Sequence, residues 1–193
     1  MKRTTALLTA VVAISVLAGC SEKTPGNANT TAPTASERTN SSPTTGGSSS
    51  GLSIAKFVSK PCDVLTAAQV AKLGQVKAPT TDTTILGPEC VWKGQDVIKN
   101  STYSVVITAD KDVEDMVSNL KSSPIFKDKK VGDVRVVIND STDGVMHCRA
   151  LIEVSKTDSV TLDASIAKDE RPTKPACTEV ESFATMVIET LKG

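Results

Sequence analysis

The sequence predicts an α+β fold, in which helices pack on an antiparallel sheet of about five strands. The first observation is alternation, because apolar residues recur at every second position in several short stretches. The second is helical spacing, with apolar residues at i, i+3, i+4 and i+7. The third is that short polar turns separate consecutive strands, and strands joined in this way are antiparallel. The predicted order of elements is α-β-β-α-β-β-β-α.

Capping residues and apolar faces predict the helices. The first helix begins near Thr66, which has the spacing of a capping box with Gln69. The second has Asp110 or Asp112 as its N-cap, and the last runs from about residue 176 to residue 191. The buried faces are Val113, Met116, Val117 and Leu120 in the second helix, and Val180, Phe183, Val187 and Leu191 in the last.

Short stretches of strand-like sequence predict the strands. Turn signals at Asp143-Gly144 and at residues 157–159 separate the last three. The predicted strands are Cys90 to Lys93, then Tyr103, Val105 and Ile107, then Val134, Val136 and Ile138, then Met146 to Val154, and finally Val160, Leu162 and Ala164.

The first 20 residues have the pattern of a lipoprotein signal peptide. Lys2 and Arg3 give a positive start, and the apolar run from Ala6 to Ala18 is shorter than the roughly 20 residues that span a membrane. The run ends in Leu17-Ala18-Gly19-Cys20. We therefore predict that residues 1–19 are removed and that Cys20 receives diacylglyceryl and acyl groups such as palmitate. The alternative is an ordinary signal peptide, or an uncleaved anchor, with an incidental cysteine.

Composition divides the rest of the chain into a tether and a domain. Residues 20–51 contain almost only small and polar side chains and are predicted to be a disordered tether after the lipidated cysteine. A flexible coil of this length reaches roughly 30 Å. Residues 52–193 are predicted to form a single globular domain. The expected location is therefore the extracytoplasmic side of the cell membrane, with the lipid groups as the membrane contact.

Charge and aromatic content exclude some classes of partner. The chain has 22 basic and 22 acidic residues, and removal of Lys2 and Arg3 leaves 20 against 22. Aromatic side chains make up only 3% of the residues. Such a chain has neither a basic field for nucleic acid nor a base-stacking surface. No nucleic-acid partner is expected.

Four cysteines remain after Cys20, and an even number in an exported domain predicts disulfides. Three pairings are open, of which we favour Cys62–Cys90 and Cys148–Cys177 because they are sequential and nearly equal in span. The alternative is a zinc site with four cysteine ligands. It is disfavoured because the cysteines lack the close spacing of ligand pairs.

We interpret the candidate catalytic residues as structural. His147, the only histidine, is predicted to lie on the opposite strand face from Cys148 and beside Arg149. A general base needs a positioned nucleophile, and none is evident. The loop at 139–144 lacks the later glutamate of a calcium-binding EF-hand and is interpreted as a polar turn.

Two further features have similar interpretations. The acidic residues of 110–115 suit a helix start. Trp92 is interpreted as a core ring packed on a disulfide, with an exposed ligand-stacking ring as the alternative. We therefore predict no catalytic, metal or cofactor site.

Two functions remain open. The first is a non-enzymatic envelope module that binds a partner protein or an apolar small molecule through a sheet face or a groove between sheet and helix. The second is an envelope hydrolase that uses paired carboxylates, for instance Asp140 and Asp143 with Glu153. We favour binding, because the domain is small for a glycosidase cleft and has few aromatic side chains.

The segment Pro61-Cys62-Asp63-Val64-Leu65-Thr66-Ala67-Ala68-Gln69-Val70, followed by Cys90-Val91-Trp92, resembles the actinobacterial cell-envelope lipoprotein family catalogued as domain of unknown function 3558. The chain departs slightly at Val64, where leucine is common. The resemblance extends to Cys148 and to Pro175-Ala176-Cys177 before the last helix. It implies an envelope lipoprotein with disulfides and implies no established activity.

Lipidation is testable at one residue. We expect Cys20→Ala to release the protein from the membrane or to leave it unprocessed, because the thiol is the atom that receives the lipid. Detergent phase partitioning and mass spectrometry measure both outcomes. A variant that is cleaved and still partitions like the wild type would contradict the prediction.

Overall fold

The computed structural model of the protein describes residues 51–193. The predicted signal peptide, Cys20 and almost all of the predicted tether lie outside these residues, so cleavage, lipidation and the tether stay predictions. Within the described residues, no helix is long and apolar enough to cross a membrane.

The described chain contains three α-helices, a 3₁₀ helix and seven strands. The helices are the 3₁₀ helix Pro61–Val64, α1 Ala67–Lys72, α2 Val113–Leu120 and α3 Ala176–Leu191. The strands are β1 Thr80–Thr84, β2 Gly87–Trp92, β3 Thr102–Thr108, β4 Ile125–Val131, β5 Val134–Asp140, β6 His147–Glu153 and β7 Ser159–Ser165.

All seven strands form one sheet in the order β1-β2-β3-β7-β6-β5-β4, and every neighbouring pair is antiparallel. The sheet therefore consists of two meanders, β1-β2-β3 and β4-β5-β6-β7. Helix α2 connects the two in sequence. In space they meet where β3 pairs with β7 over seven residue pairs, from Thr102↔Ser165 to Thr108↔Ser159.

The predicted fold of about five strands in the order α-β-β-α-β-β-β-α is wrong. The order is α-β-β-β-α-β-β-β-β-α, preceded by the 3₁₀ helix, and the domain is mostly a seven-stranded antiparallel sheet with three α-helices. The missed strands β1 and β4 are the two edges of the sheet. β1 has the sequence Thr-Thr-Asp-Thr-Thr and is largely exposed, and β4 has charged side chains at four of its seven positions. An edge strand with no fully buried face shows no apolar alternation, so the pattern that predicted the central strands is absent.

The helix caps agree with the sequence. The side chain of Thr66 accepts a hydrogen bond from the backbone N–H of Gln69, and the Gln69 side chain accepts one from the backbone N–H of Thr66. This is the capping box that the spacing predicts. Asp112 is the N-cap of α2 and accepts a hydrogen bond from the backbone N–H of Asp115.

The two faces of the sheet bury different amounts of apolar surface. Helix α3 covers one face and buries Val180, Phe183 and Val187 completely against β5, β6 and β7. Each such side chain contributes about 1.5–3 kcal/mol on burial. Helix α2 covers only part of the opposite face, where Val113 and Val117 join a smaller cluster with β5 and β6.

Both predicted disulfides are present, in the favoured pairing. Cys62–Cys90 ties the 3₁₀ helix to β2, and Cys148–Cys177 ties β6 to the first turn of α3. Each closes a loop of almost 30 residues, which corresponds to about 3–4 kcal/mol in the chain-entropy treatment. The pairing leaves no cysteine of the described domain free to bind zinc.

The loop before β6 is built closely against the second disulfide. Gly144 has a φ of 72°, and a Cβ at this position would lie 2.8 Å from Cys177 Sγ and 2.7 Å from Ile125 Cδ1. Gly132 has a φ of 61° and would have nothing within 4 Å of its Cβ. Both glycines therefore have a left-handed backbone conformation, but only at Gly144 would an added Cβ meet neighbouring atoms.

We expect Gly144→Ala to lower the free energy of unfolding more than Gly132→Ala does. Left-handed backbone strain costs about 1–2 kcal/mol in either variant, and crowding adds about 1–3 kcal/mol at Gly144 alone. Urea unfolding of both variants under non-reducing conditions measures the difference. Equal losses would contradict the crowding argument.

Candidate functional site

A row of polar side chains crosses the sheet face opposite α3, and we call it the polar row. Ser104 of β3 lies opposite Asp163 of β7, Asp163 lies opposite Arg149 of β6, and Arg149 lies opposite Asn139 of β5. Because side chains of neighbouring strands in register share a face, these four groups lie side by side. His147 is on the same face, two residues before Arg149.

Asp163 is the centre of an ion-pair cluster. It accepts hydrogen bonds from His147 Nε2 at 2.9 Å and from Arg149 Nε at 3.0 Å. On the other side of the imidazole, His147 Nδ1 lies 3.6 Å from Asp140 Oδ1. The histidine ring therefore lies between two carboxylates.

These contacts shift the ionisation of the cluster. The hydrogen bond from His147 to Asp163 raises the pKa of His147 and, although burial opposes it, the charge of Asp163 and the contact with Asp140 act in the same direction. Burial alone would raise the pKa of Asp163, but the His147 hydrogen bond and the Arg149 charge outweigh it and hold that pKa below its usual range. The two carboxylates therefore stabilise the protonated form of the imidazole relative to the neutral form that a general base requires.

Glu153 does not join the other two carboxylates proposed for a hydrolase. Glu153 lies at the other end of β6 from His147, about 20 Å away at 3.3 Å per residue, and pairs with Arg135 at 3.0 Å. Asp140 Oδ2 accepts hydrogen bonds from the Thr142 hydroxyl and from the backbone N–H groups of Thr142 and Gly144. This loop is the predicted polar turn. The Asp143 carboxylate also bonds within its own loop, because it accepts a hydrogen bond from the backbone N–H of Val145.

The remaining predicted candidates have structural contacts. Asp112 caps α2, and Glu114 forms an ion pair with Arg135. Trp92 is completely buried and packs edge-to-face on Phe183, so it offers no exposed ring to a ligand. No group of three or more histidine, cysteine or acidic residues among residues 51–193 is arranged to hold a metal ion.

Beside the polar row lies a cleft between α2 and the sheet, which we call the α2 cleft. Its volume is about 180 Å³. Apolar walls come from the β1–β2 turn, from α2 and from β6, and polar groups come from α2, β6 and β7. The lining residues are Leu86, Met116, Asn119, Leu120, Arg149, Leu151 and Thr161.

Two polar side chains distinguish this cleft. Thr161 is 4% exposed, and its hydroxyl has no hydrogen-bond partner among the described residues. A buried hydroxyl without a partner costs about 1–3 kcal/mol in desolvation. Arg149 stands at the rim with 41% of its side chain exposed and is held in place by Asp163. An unpaired hydroxyl at the base and a guanidinium at the rim are arranged around apolar walls, which is the usual composition of a small-molecule site.

The local sequence explains how the cleft forms. Met116 and Leu120 lie one turn apart on the sheet-facing side of α2, and Val113 and Val117 anchor that side in the smaller core cluster. α2 is only eight residues long, and His147 and Arg149 keep 38% and 41% of their side chains exposed. The uncovered strip of sheet beside it becomes the cleft.

The fold and the cleft define a disulfide-linked domain that consists mostly of one antiparallel sheet and has a small amphipathic cleft. The model of the family described as protein of unknown function (DUF3558) matches residues 15–190. The chain belongs to this family, as the motif around Cys62 and Trp92 indicates. No curated protein matches the chain, and no solved structure matches it.

Sequence reasoning missed Asp163 and Thr161 and considered Arg149 only as a neighbour of His147. The sequence of β7 contained a sign of this polar face. Thr161, Asp163 and Ser165 alternate with apolar residues, so they share the face opposite the core. The sequence alone could not show that this face meets Arg149, because that depends on the register between β6 and β7.

The cluster makes stability depend on pH. Because the pKa of His147 is raised on folding, its contribution is complete below the unfolded value of about 6.5 and is lost as the pH rises through the higher folded value. We expect the difference in free energy of unfolding between the wild type and His147→Gln to be largest near pH 5.5 and to shrink toward pH 9. Urea unfolding across this range measures it.

The matched control is Ser165→Ala, since Ser165 lies directly opposite His147 and does not titrate. Its effect on stability is expected to be the same at every pH. A His147→Gln effect that is equally independent of pH would contradict the ion-pair assignment.

Proposed function

We propose that the chain is a lipid-anchored binding module on the extracytoplasmic side of the cell membrane, and that it binds a small amphipathic group in the α2 cleft. The single observation that carries the proposal is the buried Thr161 hydroxyl, which has no partner among the described residues and lines an apolar cleft. A ligand with a hydrogen-bonding atom would satisfy that hydroxyl and so recover the cost of its burial.

The chemistry of the lining defines the class of ligand. Leu86, Leu120 and Leu151 suit an apolar body. Arg149 pairs with Asp163 through Nε and Nη2, and Nη1 takes no part in that pair. A guanidinium at the rim binds carboxylate and other anionic heads. The ligand class is therefore a compact apolar group with an acidic head.

Size limits the ligand further. The cleft holds about 180 Å³, below the roughly 300 Å³ at which sites for drug-sized molecules begin. A single ring or a short branched chain fits. The site therefore suits a small acid or one end of a larger molecule.

The location rests on the N-terminal pattern and on the disulfides. Disulfides persist in oxidising compartments, and an exported domain is such a setting. A tether reaching roughly 30 Å would hold the cleft above the bilayer, within reach of envelope components. Non-enzymatic binding is favoured because Glu153 lies at the far end of β6 from the loop of Asp140 and Asp143, and each of the three carboxylates already has a partner.

The test is an NMR titration of the isotope-labelled mature chain without its lipidated cysteine, residues 21–193, with phenylacetate. We expect the largest shifts at Leu120, Leu151 and Thr161, because the aromatic ring shifts the nuclei that it covers. Thr161→Val should weaken binding about threefold to tenfold, the equivalent of 0.5–1.5 kcal/mol for one hydrogen bond. The same variant should be at least as stable as the wild type, since it removes an unpaired buried hydroxyl.

The matched control is Thr108→Val. Thr108 is fully buried and its hydroxyl also has no partner among the described residues, but it does not line the α2 cleft. It should keep the wild-type affinity. Phenylacetamide tests the head group, because Arg149→Gln should weaken binding of phenylacetate and leave binding of the neutral amide unchanged. Shifts away from the cleft, or equal affinities in the two threonine variants, would contradict the proposal.

A further inference from the structure

The two edges of the sheet are protected to different degrees. At one edge, β4 has lysines at positions 127, 129 and 130. Lysine on an edge strand discourages pairing with other chains. At the other edge, β1 has the sequence Thr-Thr-Asp-Thr-Thr, with high strand propensity, no lysine and no proline. Among the described residues, β1 pairs only with β2.

The backbone of β1 has outward-facing hydrogen-bonding groups. Thr83 lies opposite Pro88, which has no N–H, so these two residues cannot form a hydrogen-bonded pair. In an antiparallel ladder the two kinds of pair alternate, so Thr81 and Thr83 direct their backbone N–H and C=O groups away from β2. The Thr83 N–H donates a hydrogen bond to Asp82 Oδ1 at 2.7 Å. This local contact occupies the position that a carbonyl of an incoming strand would take.

A groove runs beside β1 on the side of the 3₁₀ helix. Its volume is about 480 Å³. Residues 81–83 of β1 line one wall, and Val58, Ser59, Pro61 and Pro88 line the others. Strand addition needs an open backbone edge for affinity and pockets for alternate side chains for specificity. β1 has both.

Charge indicates what kind of strand fits. Asp82 lies directly opposite Glu89 on the other face of the sheet, and neither carboxylate has an ion-pair partner among the described residues. Like charges in directly opposite positions destabilise a sheet. A basic side chain placed opposite Asp82 would relieve this repulsion. The same charge disfavours a second copy of the chain in the register with the most pairs, since two-fold pairing of β1 about its middle residue would set Asp82 against Asp82.

We propose that β1 binds an extended segment of a partner protein as an eighth strand, with small side chains in the groove and a lysine or arginine opposite Asp82. Asp82 is in a hydrogen-bonded pair with β2, so toward the new strand it takes the non-hydrogen-bonded position, where opposite side chains approach most closely. The site lies at the sheet edge and does not depend on ligand binding in the α2 cleft.

The probe is the peptide Thr-Val-Thr-Lys-Thr-Val-Thr with blocked termini, added to the unlipidated mature chain. The comparison peptide has glutamate in place of the central lysine. We expect the lysine peptide to slow hydrogen exchange at the Thr81 and Thr83 amides and to bind about tenfold more tightly than the glutamate peptide. Asp82→Lys should reverse that preference. This variant tests the charge without loss of the fold, since it places a lysine opposite Glu89.

The backbone contact has its own pair of variants. Thr83→Pro removes the outward N–H without removing a hydrogen bond to β2, and should abolish peptide binding. Thr83→Val keeps the N–H and should bind within about twofold of the wild type, as a β-branched residue retains strand propensity.

Three results would overturn the proposal. The first is unchanged exchange at Thr81 and Thr83 at saturating peptide. The second is equal binding of the two peptides by the wild type. The third is a dimer, seen by sedimentation equilibrium without peptide and lost in Thr83→Pro, which would identify a second copy as the occupant of the edge.

Discussion

The pairing of β3 with β7 is the contact on which the rest of the structure depends. It joins two meanders that are separated in sequence by α2 and is formed by seven residue pairs. Without it, each meander would have an additional open edge and neither would provide a sheet wide enough for α3. The pairing also sets the register that places Asp163 between Ser104 and Arg149. The core and the candidate site are therefore consequences of the same ladder.

The two faces of this sheet are buried to different degrees because the helices that cover them differ in length. α3 has 16 residues, lies along the central strands and is tied to β6 by Cys148–Cys177, so the central part of its face is buried. α2 is half as long and anchors itself through Val113 and Val117. A short helix on a wide sheet leaves a strip of sheet uncovered. Because α2 is short relative to the width of the sheet, there is room for the α2 cleft and part of the polar row stays exposed.

The polar row also shows how a sheet accommodates a buried acid. The Asp163 side chain is 18% exposed, and an unpaired carboxylate at that depth would take up a proton or destabilise the fold. His147 and Arg149 provide two cationic partners from the neighbouring strand. Arg149 is thereby held at the rim of the α2 cleft, so a contact that stabilises the sheet also positions a side chain suited to ligand binding.

The sequence by itself determined the features whose signals are local. Alternation located the central strands, helical spacing located α2 and α3, and the spacing of Thr66 and Gln69 located the capping box. The cysteines favoured the observed pairing, and the motif around Cys62 and Trp92 indicated the family. Tertiary structure alone decided the rest. The edge strands β1 and β4 have no fully buried face, and without one there is no periodic pattern to read. The meeting of Thr161, Arg149 and Leu120 in one cleft depends on strand order, register and the placement of α2, which are set by contacts between residues far apart in the chain.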